Sequence, residues 1–223
     1  MSIEKSEING NPNVGLYAVT TKNFTLIPEN LPQKFLSILE QTLKVPIVKI
    51  FSETTFIGAL AVANQTGIVL SPLISESSIE QIRHALPEIN VLRIEFDYFA
   101  FGNLAVTTES QTLLSPIIPK STRQEIADTL GTEILTIRLH DSDLLGSLVR
   151  TNNKGAVVSP IVENEAEIKN ISELLHLKMI QTSTVNRGSH FPAGGIITND
   201  KGAILGINCT GLETIAISNA LFP

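Results

Sequence analysis

Apolar residues along this chain fall in short runs, broken by polar turns and by Gly or Pro. That pattern predicts brief buried strands between amphipathic helices. Three stretches share it closely: FIGALAVANQTGIVLSP (56–72), AFGNLAVTTESQTLLSP (100–116) and LLGSLVRTNNKGAVVSP (144–160), each 44 residues after the last. Each carries Gly, a variable residue, an aliphatic strand, a polar turn, a second strand and Ser-Pro. The Ser-Pro pairs begin 13 residues after their Gly. Weaker copies, NVGLYAVTTKNFTLIP (13–28) and PAGGIITNDKGAILGI (192–207), flank them. The leading glycines are then Gly15, Gly58, Gly102, Gly146 and Gly194, spaced 43, 44, 44 and 48 residues. The long last interval is expected to be an insertion of about four residues at VNRGSH (185–190).

A helix is predicted after each strand pair. Phe35, Leu39 and Leu43 recur on one helical face, as do Ile79, Ile82 and Leu86, and Ile168, Ile171 and Leu175. Helix starts are read at Ser77 with Glu80, Ser121 with Gln124, Asn164 with Glu167 and Thr210 with Glu213, each spaced as a capping box. A third strand closes each unit: VPIVKI (45–50), INVLRIEF (89–96), TEILTIRL (132–139) and LKMIQTS (177–183). The fifth unit has two strands and a helix at about 211–221, and then the chain ends. The N-terminal segment SIEKSEIN (2–9) is expected to supply its missing strand, closing a ring and removing an open sheet edge. The predicted fold class is α/β: a five-bladed propeller of strand-strand-helix-strand repeats with fivefold pseudosymmetry, in one domain. The repeats run about 14–55, 56–99, 100–143, 144–191 and 192–223 plus 1–13.

Composition narrows the chemistry. Apolar residues make up 43% and aromatic ones 5%, with no Trp, so the core is aliphatic. Mean hydropathy is +0.20. Sixteen Lys and Arg against 22 Asp and Glu leave a net charge of −6, unsuited to phosphate backbones and better matched to a basic protein. One Cys excludes an internal disulfide and any multi-Cys metal site. No Walker loop or dinucleotide fingerprint occurs, the histidines have no metal spacing, and no cofactor is expected. The N-terminus lacks a signal-peptide core and no apolar run approaches a membrane span, so a cytoplasmic protein is expected.

These units describe the pentein fold, and the chain resembles the translation initiation factor 6 family, the ribosome anti-association factors of archaea and eukaryotes. The resemblance is carried by TVNRGS (184–189), by the Gly-Asn-hydrophobic-Ala-Val-Thr-Thr stretch at 102–108, by VPIV (45–48) and by IRHALPE followed by INVLRIE (82–95). It runs in one register from Val14 to Phe222 and matches the short archaeal form. It implies no catalysis. It implies binding to the large ribosomal subunit, beside the sarcin–ricin loop and mainly on a ribosomal protein with some ribosomal RNA, so that the small subunit is blocked. Release by an elongation-factor-like GTPase and an assembly cofactor is implied as well, and a monomer is expected.

Two sets of residues are candidates for the site. The ring places Leu16, Ala59, Asn103, Ser147 and Gly195, each just after a leading Gly, at equivalent places near the axis. The resemblance puts that ring on the ribosome-binding face, Asn103 foremost. The alternative is that small residues there let five strands converge. The second set is the motif loop Asn186, Arg187, Gly188 and Ser189. Arg187 either grips a partner carboxylate or phosphate, or pins the long junction through backbone carbonyls. Gly188 suggests a special backbone angle. The acidic groups Glu163, Glu165 and Glu167, with Asp141 and Asp143, either steer the protein toward basic partners or are solvated helix starts and turns.

Other penteins are amidine hydrolases with a late Cys nucleophile and a mid-chain His. Cys209, and His140 beside Asp141 and Asp143, make that the alternative function, although His140 lacks the His-x-Asp/Glu spacing and the long active-site loops are missing.

Overall fold

A computed structural model describes residues 2–223. The chain opens with strand β1 (Ser2–Ser6). Unit one is a 3-10 turn (Val14–Leu16), β2 (Val19–Thr20), β3 (Thr25–Pro28), helix α1 (Gln33–Leu43) and β4 (Ile47–Ile50). Unit two is α2 (Ile57–Leu60), β5 (Ala61–Ala63), β6 (Gly67–Leu70), α3 (Glu76–Ala85) and β7 (Asn90–Arg93). Unit three is a 3-10 turn (Phe101–Asn103), β8 (Ala105–Thr107), β9 (Gln111–Leu114), α4 (Lys120–Leu130) and β10 (Glu133–Thr136). Unit four is α5 (Leu145–Leu148), β11 (Val149–Thr151), β12 (Gly155–Val158), α6 (Glu165–Leu174) and β13 (Met179–Thr182). Unit five is α7 (Pro192–Gly195), β14 (Ile196–Thr198), β15 (Gly202–Gly206) and α8 (Gly211–Leu221).

The strands form five three-stranded sheets. In units one to four the first two strands are an antiparallel hairpin. The third pairs parallel to the second after its helical crossover. In unit five the third place is taken by β1, parallel to β15 from Ser2↔Gly202 to Ser6↔Gly206. The expected ring closure is therefore present, and the arrangement is the pentein-type α/β propeller. Each middle strand is buried along its whole length, whereas the outer strands β7, β10 and β13 are half-exposed. Five largely aliphatic clusters make the core, each packing the helix and strands of one unit against strands of the unit before it.

The repeated Ser-Pro is a turn with a defined job. Ser71, Ser115 and Ser159 are fully buried, and each N–H donates at 2.8 Å to the carbonyl that ends its own axial segment: Leu60 and Leu148, the last residues of their helices, and Leu104, just after its turn. Their carbonyls accept from Ile74, Ile118 and Val162, three residues on. Pro fits the second position of such a turn because its φ is preset.

Helix starts differ from the sequence reading at two of four places. Thr210 and Glu213 form a full capping box. Asn164 caps the Ala166 N–H at 2.9 Å, but Glu167 reaches across to the His140 N–H instead of back. Helix α3 is capped by Ser75, whose Oγ accepts from the Ser78 N–H. Ser77 lies inside it, because buried Ile74 anchors the chain two residues before α3 begins. Ser121 likewise lies inside α4, which starts behind Pro119 with no side-chain cap.

Adjacent units are stapled by asparagines at the hairpin turns. The Oδ1 atoms of Asn64, Asn152 and Asn199 each accept two N–H groups of their own turn. The Nδ2 atoms each donate to two carbonyls of the next unit: Thr108 and Leu130, Asn199 and Leu221, Thr21 and Leu43. All four bonding positions of each amide are used. Thr21 and Thr108 stand at the equivalent positions of units one and three.

Candidate functional site: the junction face

Short turns or helices start each unit at the axis, and their second residues set the spacing of the ring. A Cβ on Gly58 would overlap the Gly15 carbonyl, one on Gly102 that of Gly58, and one on Gly146 that of Gly102. Only glycine permits this approach. A Cβ on Gly15 would meet the carbonyls of Ala193, Gly194 and Ile196, just as one on Gly58 would meet Gly15, Leu16 and Ala18. So Ala193, and not Gly194, is the fifth member of that ring. The residue after it is Gly194. This corrects the expected set by one position: Leu16, Ala59, Asn103, Ser147 and Gly194 are equivalent and half-exposed, whereas Gly195 is buried behind Val185. Two adjacent glycines hid the shift.

Each third strand runs parallel to the second, so all junctions between units emerge at the end where the axial turns lie. Eight of the ten large apolar side chains exposed among the described residues lie in loops at this end: Phe51, Phe56, Leu73, Tyr98, Phe99, Leu144, Phe191 and Ile207. Phe56, Leu144 and Phe191 directly precede axial helices. The Tyr17 and Phe56 rings meet edge to face, centroids 5.3 Å apart. Apolar side chains gathered on one end make that end the candidate docking face. Asn103 is half-exposed beside the pseudo-axis, and its carboxamide bonds to no protein group among the described residues.

The TVNRGS loop turns inward with its backbone and outward with its arginine. Asn186, Arg187 and Gly188 all have positive φ, at 52°, 65° and 103°. That run makes a cradle of N–H groups, the kind that binds anions. Its occupant is the Glu213 carboxylate. It accepts from the N–H groups of Arg187 (3.2 Å) and Gly188 (3.0 Å), from that of Thr210 (2.7 Å) and from the Thr184 hydroxyl (2.7 Å). Burial pushes this carboxyl up, but the donors, Thr210 first, outweigh it and hold the pKa at about 2. The Asn186 amide donates to the Pro12 carbonyl and to Asn13, so the loop joins unit four, unit five and the N-terminal segment.

Arg187 thus pins the junction with its N–H group. Its guanidinium is exposed and makes no bond to the protein among the described residues, contrary to the reading in which it grips backbone carbonyls. The loop is also less of an insertion than its position suggested. Val185 and Ser189 bridge across three residues, Leu139 and Ser142 across two, so one extra residue falls here. The rest of the added length lies between β12 and β13. The Leu139–Ser142 turn, with His140 and Asp141 at positive φ, and the Ile8–Asn11 turn repeat the design at two other junctions.

Cys209 is 4% exposed. Burial raises its pKa above the usual thiol value, and its Sγ accepts the Asn186 N–H at 3.3 Å. No histidine bonds to it among the described residues, and a buried, protonated thiol is inert as a nucleophile. His140 sits in the turn between units three and four, its N–H on Glu167. Among the described residues no cluster of His, Cys, Asp and Glu could hold a metal, and no helix is long and apolar enough to cross a membrane.

Fold and surface define a closed α/β propeller of the pentein type with an apolar face at its junction end. The eIF-6 family profile matches residues 3–220, and the chain belongs to that family. It is similar to proteins named Translation initiation factor 6. The one from Methanothermobacter thermautotrophicus is 37% identical over 84 residues, covering 37% of this chain and 38% of that one. Those from Sulfolobus acidocaldarius and Methanococcus maripaludis are 25% and 27% identical and align over 99% and 98% of both chains. The aligned segment thus spans less than half the length of the more identical relative and nearly all of the two more distant ones.

Proposed function

We propose that this protein is a cytoplasmic translation initiation factor that binds the large ribosomal subunit and keeps the small subunit from joining it. The observation that carries the reading is the collection of exposed Phe, Tyr and Leu side chains on the junction face of a chain belonging to this family. A rigid ring presenting aromatic anchors suits a broad, shape-matched protein interface. Leu16, Ala59, Asn103, Ser147 and Gly194 occupy its centre. The partner surface is a ribosomal protein beside the sarcin–ricin loop with some ribosomal RNA, and removal is by a GTPase with an assembly cofactor. Glu163 and Asp141 on the rim favour a basic partner, and Arg187 gives one free cation for a carboxylate or phosphate.

Sedimentation of the purified monomer with large subunits, small subunits and their mixture tests this. The expected result is comigration with large subunits alone and fewer coupled particles. Protein that stays at the top of every gradient overturns the proposal. Cys209→Ala should behave as the parent, and loss of binding in a folded Cys209→Ala protein would reopen the hydrolase alternative.

A further inference from the structure

Arg150 breaks the fivefold pattern at the axis. It stands in β11 where the other units have Val19, Val62, Val106 and Ile197, all buried and apolar. Its Nη2 donates to the Ala193 carbonyl at 2.7 Å, across the seam between units four and five. Its Nε is sealed from solvent and donates to no group among the described residues. No carboxylate lies within ion-pair distance of it among the described residues. Burial lowers the guanidinium to about 10, so at neutral pH it remains charged. Arg150 as a whole is half-buried; a cation partly withdrawn from water without a counter-ion is costly, and one bond to a neutral carbonyl leaves the charge unbalanced.

The same side chain lines a cavity of about 80 Å³ that runs along the pseudo-fivefold axis. No other charged side chain lines it among the described residues, and Asn103 and Gly194 stand at its mouth. The hydroxyls of Thr151 and Thr198, also in its wall, donate to carbonyls of their own hairpins and offer no proton to the cavity. A polar space of this size holds a few waters or one small ion. Water would satisfy the N–H groups but not the charge.

We propose that the axial cavity is a binding site for a small, weakly hydrated monovalent anion, from chloride to carboxylate in size, held by the free N–H groups of Arg150. One guanidinium balances one negative charge, which disfavours phosphate and sulfate. The bound anion completes the seam between units four and five, where Ala193 also replaces the glycine found in the other four units.

The test uses the full chain and its Arg150→Val variant, which places there the residue found at positions 19 and 62. Crystals of both are soaked in sodium bromide and read by anomalous diffraction. Thermal midpoints are measured in bromide and in formate against fluoride at constant ionic strength. The parent should show a bromide peak within hydrogen-bonding distance of Arg150, and a midpoint that rises with bromide or formate. Arg150→Val should lose the peak, and its apparent affinity should fall at least about tenfold, as removal of a charge-assisted bond requires. Arg150→Lys, which keeps the charge, should retain part of the response. A parent cavity that holds only water in bromide overturns the proposal, as does an equal peak in Arg150→Val, which would mark an adventitious ion only.

Discussion

The Gly188 N–H donates to the Glu213 carboxylate at 3.0 Å, and that bond ties the junction leaving unit four to helix α8 of unit five. Glu213 is also half of the α8 capping box, so one side chain fixes both a helix start and a loop. Its pKa is lowered from 4.5 to about 2 in the folded chain. The stabilisation is complete above pH about 4.5 and fades as the pH falls toward 2. A shift of that size corresponds to about 3 kcal/mol. Glu213→Gln should therefore unfold at a midpoint lower by about 6–12 °C at neutral pH. Its stability should also change less than the parent's between pH about 5 and 2. Thermal unfolding at neutral pH checks the first, and urea unfolding across the acid range checks the second.

Gly102 and Gly194 should differ sharply in their response to alanine. A methyl at Gly102 runs into the Gly58 carbonyl, whereas at Gly194 the nearest atom is Asn13 Oδ1 at 3.9 Å. Gly102→Ala should cost roughly 3 kcal/mol or more, with Gly194→Ala within about 0.5 kcal/mol of the parent. Equal effects in denaturant titrations would contradict the register found for unit five.

Asn152→Ala removes both bonds into unit five and leaves the Asn199 and Leu221 carbonyls without that donor. The expected loss is about 2–4 kcal/mol, with the seam between units four and five opening first. Hydrogen exchange should show early loss of protection in β14 and α8, while β3 and β6 stay protected.

Phe191→Glu and Asn103→Lys alter the junction face without touching the core. Their unfolding midpoints should match the parent within about 2 °C, because exposed substitutions seldom exceed 0.5 kcal/mol. Comigration with large subunits should weaken at least about tenfold for each. Arg187→Ala should weaken it less and reduce its salt dependence, since the exposed guanidinium contributes a screened contact. Sedimentation at two salt concentrations separates the three.

Much of the ring was legible because its determinants are local. Gly, hairpin and Ser-Pro recur at fixed spacing, and each reports a backbone requirement of a single unit. The closing strand could be inferred because a unit lacking its third strand leaves an edge. The site was read less well where contact between units decides. Gly194 and Gly195 adjoin, so pattern alone could not say which faces the axis, whereas a carbonyl of a neighbouring unit does. Asn64, Asn152 and Asn199 are visibly aligned at the turns, yet their partners lie 44 to 178 residues away. Arg187 drew attention by its side chain, while the fold uses its N–H group. A single Arg in a strand, as at Arg150, carries no pattern of its own; only alignment with Val19, Val62 and Val106 exposes it.

Ser2 pairs with Gly202, two hundred residues away. Closing so long a loop is entropically slow and cannot precede synthesis of β15. Until then β15, the middle strand of its sheet, has one naked edge, open to the matching strand of any other copy. The nascent ring is consequently at risk of swapping strands between molecules at high expression. A circular permutant that links Pro223 to Ser2 and opens the chain at a different junction would turn this last, distant pairing into a nearby one.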